Sequence, residues 1–226
     1  MPLQARAFLG IWHNLKAGTE RDFDRWHTYE HMSERAAVPG FRVARRYMNW
    51  KLASPSHLCF AMYEAAHVET FRSPGYLARL NDPTPWSQRA GATQTDFLRG
   101  AFEIDVSLGS GVGGAMATFR IARDPGSRDE TSLALRHACV DLMPLHGVVG
   151  VHMGSAKTEV TGLRTKEMEI RPSTSAENSL DTVVLVEAIG FEELEAVLGE
   201  ASAKLRVRGV NSIDAEPYRL AYLLPA

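Results

Sequence analysis

Two histidines and two glutamates fall together in one stretch, Phe23 to Phe41, FDRWHTYEHMSERAAVPGF. At about 100° per residue, a helix through it brings Phe23, Trp26, His27, Glu30, Glu34, Ala37 and Val38 to one side, with His31 at the edge. A core-facing stripe normally carries Leu, Ile or Ala there, because an unpartnered charge pushed against a sheet loses several kcal/mol of hydration. Ionisable groups turned inward predict a partly solvated pocket beneath the helix. Histidine titrates near neutrality, and a carboxylate one turn away fixes its tautomer and raises its basicity. His27 is therefore the expected acid or base, Glu30 its orienter and His31 a second acid, with Glu34 and Arg35 as supporting charges. The alternative for the same residues is a buried ion network with Arg35, Arg42, Arg45 or Arg46.

The run His-Thr-Tyr-Glu-His also matches the inverted zinc-protease pattern, in which two histidines one turn apart hold the metal and the glutamate activates water. A third ligand has no downstream motif, and no metal or cofactor is expected. His13, at the end of the first strand, and Asn14 beside it can orient a carbonyl. Tyr63, Tyr76, Trp12 and Trp86 can wall an aromatic pocket, Trp86 on a turn stiffened by Pro85; the alternative for each is ordinary core. Arg45 can hold a substrate carboxylate through two parallel hydrogen bonds, or pair with Glu30 or Glu34. Gly109, Gly111 and Gly114 fit G-x-G-x-x-G, but the residues that follow read as a strand where a nucleotide site needs a helix.

The elements that must position these groups are legible in order. A strand over residues 5–15 precedes the helix, which Thr19 and Asp22 start in the manner of a capping box and Pro39-Gly40 ends near Ala37. Residues 41–50 alternate with a period of two, Ser54-Pro55-Ser56 breaks the pattern, and 57–65 makes the next strand. A helix over 67–80, interrupted at Ser73-Pro74-Gly75, a further helical piece and a strand over 95–106 complete the order strand, helix, strand, strand, helix, strand. That is a ferredoxin-like βαββαβ unit.

After SLGSGVGG (107–114) the same order begins again: strand 115–122, helix 129–143, strands 147–158 and 180–188, helix 191–205 and strand 215–224. Pro39-Gly40-Phe41 matches His146-Gly147-Val148, and Tyr63-Glu64-Ala65 matches Val186-Glu187-Ala188, at offsets of 107 and 123 residues; the 16 extra residues fit the polar loop 159–179. The chain thus reads as α+β, two tandem ferredoxin-like repeats, 1–107 and 113–226. Each sheet has its own helices on one face and buries the other against its neighbour, giving a pseudo-dimeric α+β barrel. At the 107-residue offset, His27 and His31 meet Ala134 and Ala138, which confines the expected task to the first repeat.

With 226 residues, 45% hydrophobic and 23% charged, the chain has the composition of an ordinary globular protein. A formal charge of -2 gives no footprint for nucleic acid, and no apolar run approaches the roughly 20 residues that span a bilayer. Two distant cysteines suggest neither a disulfide framework nor a zinc ribbon. A cytoplasmic protein acting on a small-molecule ligand is expected, with no nucleic-acid or membrane partner. Fusion of two repeats either satisfies the sheet faces internally or leaves edges for a homodimer.

The run W-H-x-x-E-H-x-x-E-R-x-x-V-P-G-F, followed by A-R-R-Y and S-P-x-Y-L-x-x-L-N-x-P-T-P-W, resembles tandem members of the EthD-like branch of the dimeric α+β barrel superfamily. The likeness covers residues 8–105; the second half matches in element order only. It implies paired ferredoxin-like units with a pocket between helices and sheet, in which His27 and His31 stand at positions suited to acid or base. Relatives include cyclases, decarboxylases, lactone isomerases, cofactor-free monooxygenases and haem proteins. The expectation is a lyase, isomerase or cyclase acting on an aromatic or cyclic molecule, with a haem- or metal-binding barrel and a non-catalytic ligand-binding barrel as alternatives.

Overall fold

Strand alternation sorts the first repeat into two layers. In β1 (Ala7–Leu15) Phe8 and Trp12 point one way and Leu9, Ile11 and His13 the other. The same split recurs in β2 (Phe41–Met48), β3 (Cys59–Ala65) and β4 (Gln94–Gly109). In the second repeat it recurs in β5 (Ala115–Arg123), β6 (Val148–Ala156), β7 (Thr182–Ala188) and β8 (Val210–Pro225). The computed structural model describes residues 3–49, 56–161, 164–171 and 180–226. Trp50, the Ser54-Pro55 break and parts of the polar loop (162–163 and 172–179) lie outside the described residues.

Each repeat forms an antiparallel sheet, β4-β1-β3-β2 and β6-β7-β5-β8, and the pairings β2–β8 and β4–β6 close the two into one eight-stranded barrel. Closure needs strands longer than the periodicity alone marks out. β4 pairs with β1 through its first half and with β6 from Phe102 to Gly109; β8 pairs with β5 first and then with β2 as far as Pro225. Those extensions leave none of the eight strands with a free edge.

The two glycines matched between the repeats do equivalent work. Gly40 and Gly147 have φ of +102° and +80°, each where the chain leaves the first helix of its repeat for the next strand. A Cβ on Gly40 would lie 2.8 Å from the Thr70 hydroxyl, and one on Gly147 2.5 Å from Glu193 Cβ; only glycine meets both demands.

The barrel interior is aromatic in the middle, where Phe8, Trp12, Tyr47, Phe60, Phe102 and Tyr218 pack together, and ionic toward one end. There Arg45 pairs with Glu64 at 2.6 Å and Glu187 at 2.8 Å, and His152 reaches Glu187 at 3.2 Å. Glu64 and Glu187 are the two glutamates matched between repeats, so the internal duplication has made one buried cluster. Outside the barrel, the first repeat's helices include 20–36, Pro74–Asn81 and Pro85–Gly91; the second's two long helices are Arg128–Leu142 and Phe191–Leu205. The second repeat's helix-to-sheet layer is apolar, built on Phe119, Leu135, Cys139, Met153 and Leu194. Both cysteines are free and buried, which pushes each thiol up to about 12. Among the described residues no helix is long and apolar enough to cross a membrane.

Candidate functional site

The helix carrying the histidines is not a uniform α-helix. Glu20–Trp26 is α-helical, His27–His31 makes a π turn in which the Met32 N–H donates to the His27 carbonyl, and Met32–Ala36 is α-helical again. The π turn holds one residue more than an α turn. Everything beyond it is rotated on by one position relative to a continuous α-helix. The buried side is therefore Phe23, Trp26, His27, His31, Met32, Arg35 and Val38, whereas a continuous helix predicts Glu30, Glu34 and Ala37. His31 and Arg35 have taken the inward places of Glu30 and Glu34. The expected capping box is also absent: the Thr19 hydroxyl donates to the Lys16 carbonyl at 2.6 Å and receives no helix N–H.

Glu30 does not orient His27. Its Oε1 accepts from the Thr84 hydroxyl at 2.5 Å and the Ser87 hydroxyl at 3.2 Å, at the start of helix Pro85–Gly91. This also removes the water-activating glutamate that the inverted zinc pattern requires. Glu34 lies at the rim, 3.7 Å from Arg79 and 3.9 Å from Arg35, and partial burial raises its pKa.

The partner of His27 is Tyr63. The Tyr63 hydroxyl and His27 Nε2 share a hydrogen bond at 3.2 Å. Burial pushes the Tyr63 phenol well above its ordinary value and keeps it protonated. The rings of His27 and His31 are 5.3 Å apart, and Trp26 lies against His31 at 4.3 Å. His13 shares the layer, packed edge-on to Phe23 at 5.0 Å, its Nδ1 donating to the Asn14 carbonyl at 3.0 Å. Burial is the main reason all three imidazoles are neutral. It brings His13 down to about 3 and holds His27 and His31 well below 6.5, with His31 and Arg35 respectively as the next causes. The Nδ1 atoms of His27 and His31 are buried with no hydrogen-bond partner among the described residues.

His31 borders a small cavity of about 20 Å³, whose walls include Arg35, Tyr63, Tyr76, Arg99, Glu167 and Arg171. By this measure the space holds about one water molecule. Glu167 and Arg171 come from the second repeat: helix Lys166–Ile170, in the loop between β6 and β7, crosses over to cover the first repeat's helices. Composition gave no hint of this, although Glu167 and Arg171 have the i, i+4 spacing of a helical ion pair. Arg99 on β4 was also missed; it shares the outward face of β4 with Phe97 and Ala101.

The structure therefore brings together His13, His27, His31, Arg35 and Tyr63, and separates the remaining candidates. Trp12 and Arg45 lie on the opposite sheet face, inside the barrel. The Trp12 indole donates to the Thr118 hydroxyl at 3.1 Å, and Arg45 is held by Glu64 and Glu187. The strand period places Trp12 and His13 on opposite faces, so they cannot share a pocket. Trp86 packs helix Pro85–Gly91 onto the first helix, with its indole N–H toward Asp22 at 3.3 Å.

A second, larger cleft of about 470 Å³ opens at one end of the barrel, bordered by His57, Leu98, Arg120, Leu180 and Asp214. There His57 Nδ1 lies 3.1 Å from Glu216 and 2.9 Å from Arg120.

No protein-family model matches the sequence, and no curated protein matches it. Solved structures match the whole fold. An anthrone oxidase-like protein superposes with a TM-score of 0.67 at 12% identity, over 100% of this chain and 95% of its own. A protein named only provisionally as a monooxygenase, from Fusobacterium nucleatum, gives 0.58 at 7% identity over 99% and 98%. A mutant chlorite dismutase from Candidatus Nitrospira defluvii gives 0.54 at 10% identity over 97% and 92%. At these identities the likeness establishes the ferredoxin-like α+β barrel and nothing of the chemistry.

Proposed function

We propose that this chain is a small-molecule enzyme that moves a proton at the first repeat's cavity, as a lyase, isomerase or cyclase does. The observation that carries the reading is the juxtaposition, in one repeat only, of a buried neutral imidazole on His31 with arginine and tyrosine side chains around a cavity. A neutral imidazole can accept a proton, and the Arg35 guanidinium beside it can hold negative charge developing on a substrate oxygen. Tyr63 and His27 stand behind, fixing each other's hydrogen bond. The anthrone oxidase-like and monooxygenase-like names of the structural neighbours support action on a small organic molecule, and the sequence motifs support an EthD-like relationship. The cavity admits one water in this arrangement, so a ring-bearing substrate requires its walls to move apart while the side chains that line it stay in place around the bound group.

No group of three or more His, Cys, Asp or Glu among the described residues is placed to hold a metal ion. A second reading, with His57 and Glu216 as the acid–base pair, is favoured by the size of the barrel-end cleft, which at about 470 Å³ lies in the range typical of ligand pockets, as the cavity beside His31 does not.

Proton exchange separates the two. The protein is incubated in D2O with a panel of cyclic 1,3-dicarbonyl compounds and unsaturated lactones, and loss of the acidic C–H signal is followed by NMR. Exchange that His31→Asn abolishes and His57→Asn preserves is the expected result; the reverse pattern moves the site to the barrel end, and indifference to both removes the reading.

A further inference from the structure

The cavity beside His31 carries more positive charge than the described residues balance. Arg35, Arg99 and Arg171 all border it, against one lining carboxylate, Glu167. Glu167 is already engaged twice, by Arg35 at 2.9 Å and Arg171 at 3.0 Å. Arg171 is further fixed by Gln94, which accepts from its Nε at 2.7 Å, and by the Phe97 ring 4.2 Å beneath it. Glu34, at 3.9 Å, is too far from Arg35 for a hydrogen bond and is shared with Arg79. Arg99 reaches only the Tyr76 hydroxyl among the described residues, at 3.5 Å.

Two donors are also unspent. Arg35 Nη1 and the Thr165 hydroxyl are buried without a hydrogen-bond partner among the described residues, on side chains of residues only 3% and 4% exposed. Both residues line the same cavity. A cluster that served packing alone would match its charges, since a desolvated guanidinium without a counter-ion is costly. Surplus cations and idle donors converging on one space describe a seat for an anion. Planar guanidinium groups with a hydroxyl alongside suit the two oxygens of a carboxylate, and Ile11, Leu80 and Met168 supply apolar wall for the carbon attached to it.

We propose that the cavity binds a small organic carboxylate, the anionic end of the substrate, through Arg35, Arg99 and Thr165, with the Arg171–Glu167 pair behind. The proposal rests on reading this cavity as the reaction site and adds the chemical class of its ligand. It also accounts for how so depressed a histidine becomes a useful base. After burial, the Arg35 guanidinium is the next cause that holds His31 down; a carboxylate bound between them offsets it and raises the basicity of the imidazole.

The test is the thermal unfolding midpoint of the full-length protein titrated with sodium acetate and sodium benzoate, against acetamide and benzamide, at ionic strength fixed with sodium chloride. The carboxylates are expected to raise the midpoint saturably and the amides to leave it unchanged. Arg99→Met is expected to weaken the carboxylate response at least tenfold. It should also raise the midpoint of the ligand-free protein by about 2–4 °C, because it removes an unbalanced buried charge. An arginine with a purely structural role gives the opposite sign. No carboxylate response, an equal response to the amides, or an Arg99→Met protein that is less stable and binds as before would each overturn the proposal. His31→Asn should bind carboxylate and fail to exchange protons. A protein that binds carboxylates and moves no proton thus defeats only the catalytic reading; one that turns over neutral substrates with no carboxylate response defeats only this one.

Discussion

The carboxylate of Glu167 accepts from Nη2 of Arg35 at 2.9 Å across 132 residues of chain, tying the second repeat's inserted loop to the first repeat's helix. Through this pair one repeat supplies the cover for the other's cavity. Removing the carboxylate leaves Arg35, Arg99 and Arg171 facing one another. Glu167→Gln should cost about 3–5 kcal/mol, the range for breaking a buried ion pair from one side, read as a lowered urea midpoint with an unchanged slope.

The π turn can be removed without emptying the buried face. Tyr29 is 74% exposed at its outer side. Deleting it shortens the interval from His27 to His31 to three residues and that from His27 to Arg35 to seven, both inward spacings of an α-helix. A folded protein, with a melting midpoint within a few degrees of the parent and continuous α-helical hydrogen bonding by amide exchange, is expected. Proton-exchange activity should fall at least tenfold as the two imidazoles move relative to each other.

Stability should fall on mild acidification. His13, His27 and His31 are neutral in the fold with pKa values below the 6.5 of the unfolded chain. Their contribution is complete above pH 6.5 and is lost as the unfolded state takes up protons that the native state refuses. Each histidine contributes about 1.4 kcal/mol per pH unit below that point, and for His13 the loss levels off near its native value of about 3. Urea unfolding at pH 7.5, 6.0 and 5.0 should show the slope, and His13→Asn should reduce it by about one proton. Equal stability at pH 7.5 and 5.0 would contradict neutral burial.

Tyr63→Phe keeps the ring and deletes the hydrogen bond that His27 Nε2 makes with the Tyr63 hydroxyl. With both imidazole nitrogens then unpartnered, a loss of about 1–3 kcal/mol is expected. Nitrogen NMR of the histidine rings should show the His27 Nε2 resonance shifted from its parent position.

Inside the barrel, Arg45→Met strands Glu64 and Glu187 and should cost about 3–5 kcal/mol, whereas adding Glu64→Leu and Glu187→Leu should restore most of it. Circular dichroism during urea titration of the single and triple variants would distinguish a structural cluster from one kept for binding.

Much of this molecule was legible in its residues. Period-two alternation marked the strand over 41–50, apolar runs between turn residues and the repeated order marked the others, and Gly40 and Gly147 marked one turn twice, because strand pleat and left-handed backbone are decided by neighbours along the chain. That the second repeat carries Ala134 and Ala138 where the first has His27 and His31 could also be read directly, and the structure gives that repeat an apolar helix-to-sheet layer. The strand period puts Trp12 and His13 on opposite faces, yet the sequence reading offered both for one pocket; the fold keeps only His13 on the helix side.

The membership of the site was decided in three dimensions. A helix period measured at 100° per residue cannot register one extra residue in a turn, and the π turn is what brings His31 and Arg35 inward while sending Glu30 to Thr84 and Ser87. That choice depends on which side chains the sheet beneath can accept. The cover was still less accessible: Glu167 and Arg171 meet Arg35 and Arg99 only because β4 and β6 pair to close the barrel, and local sequence carries no record of a contact 132 residues away.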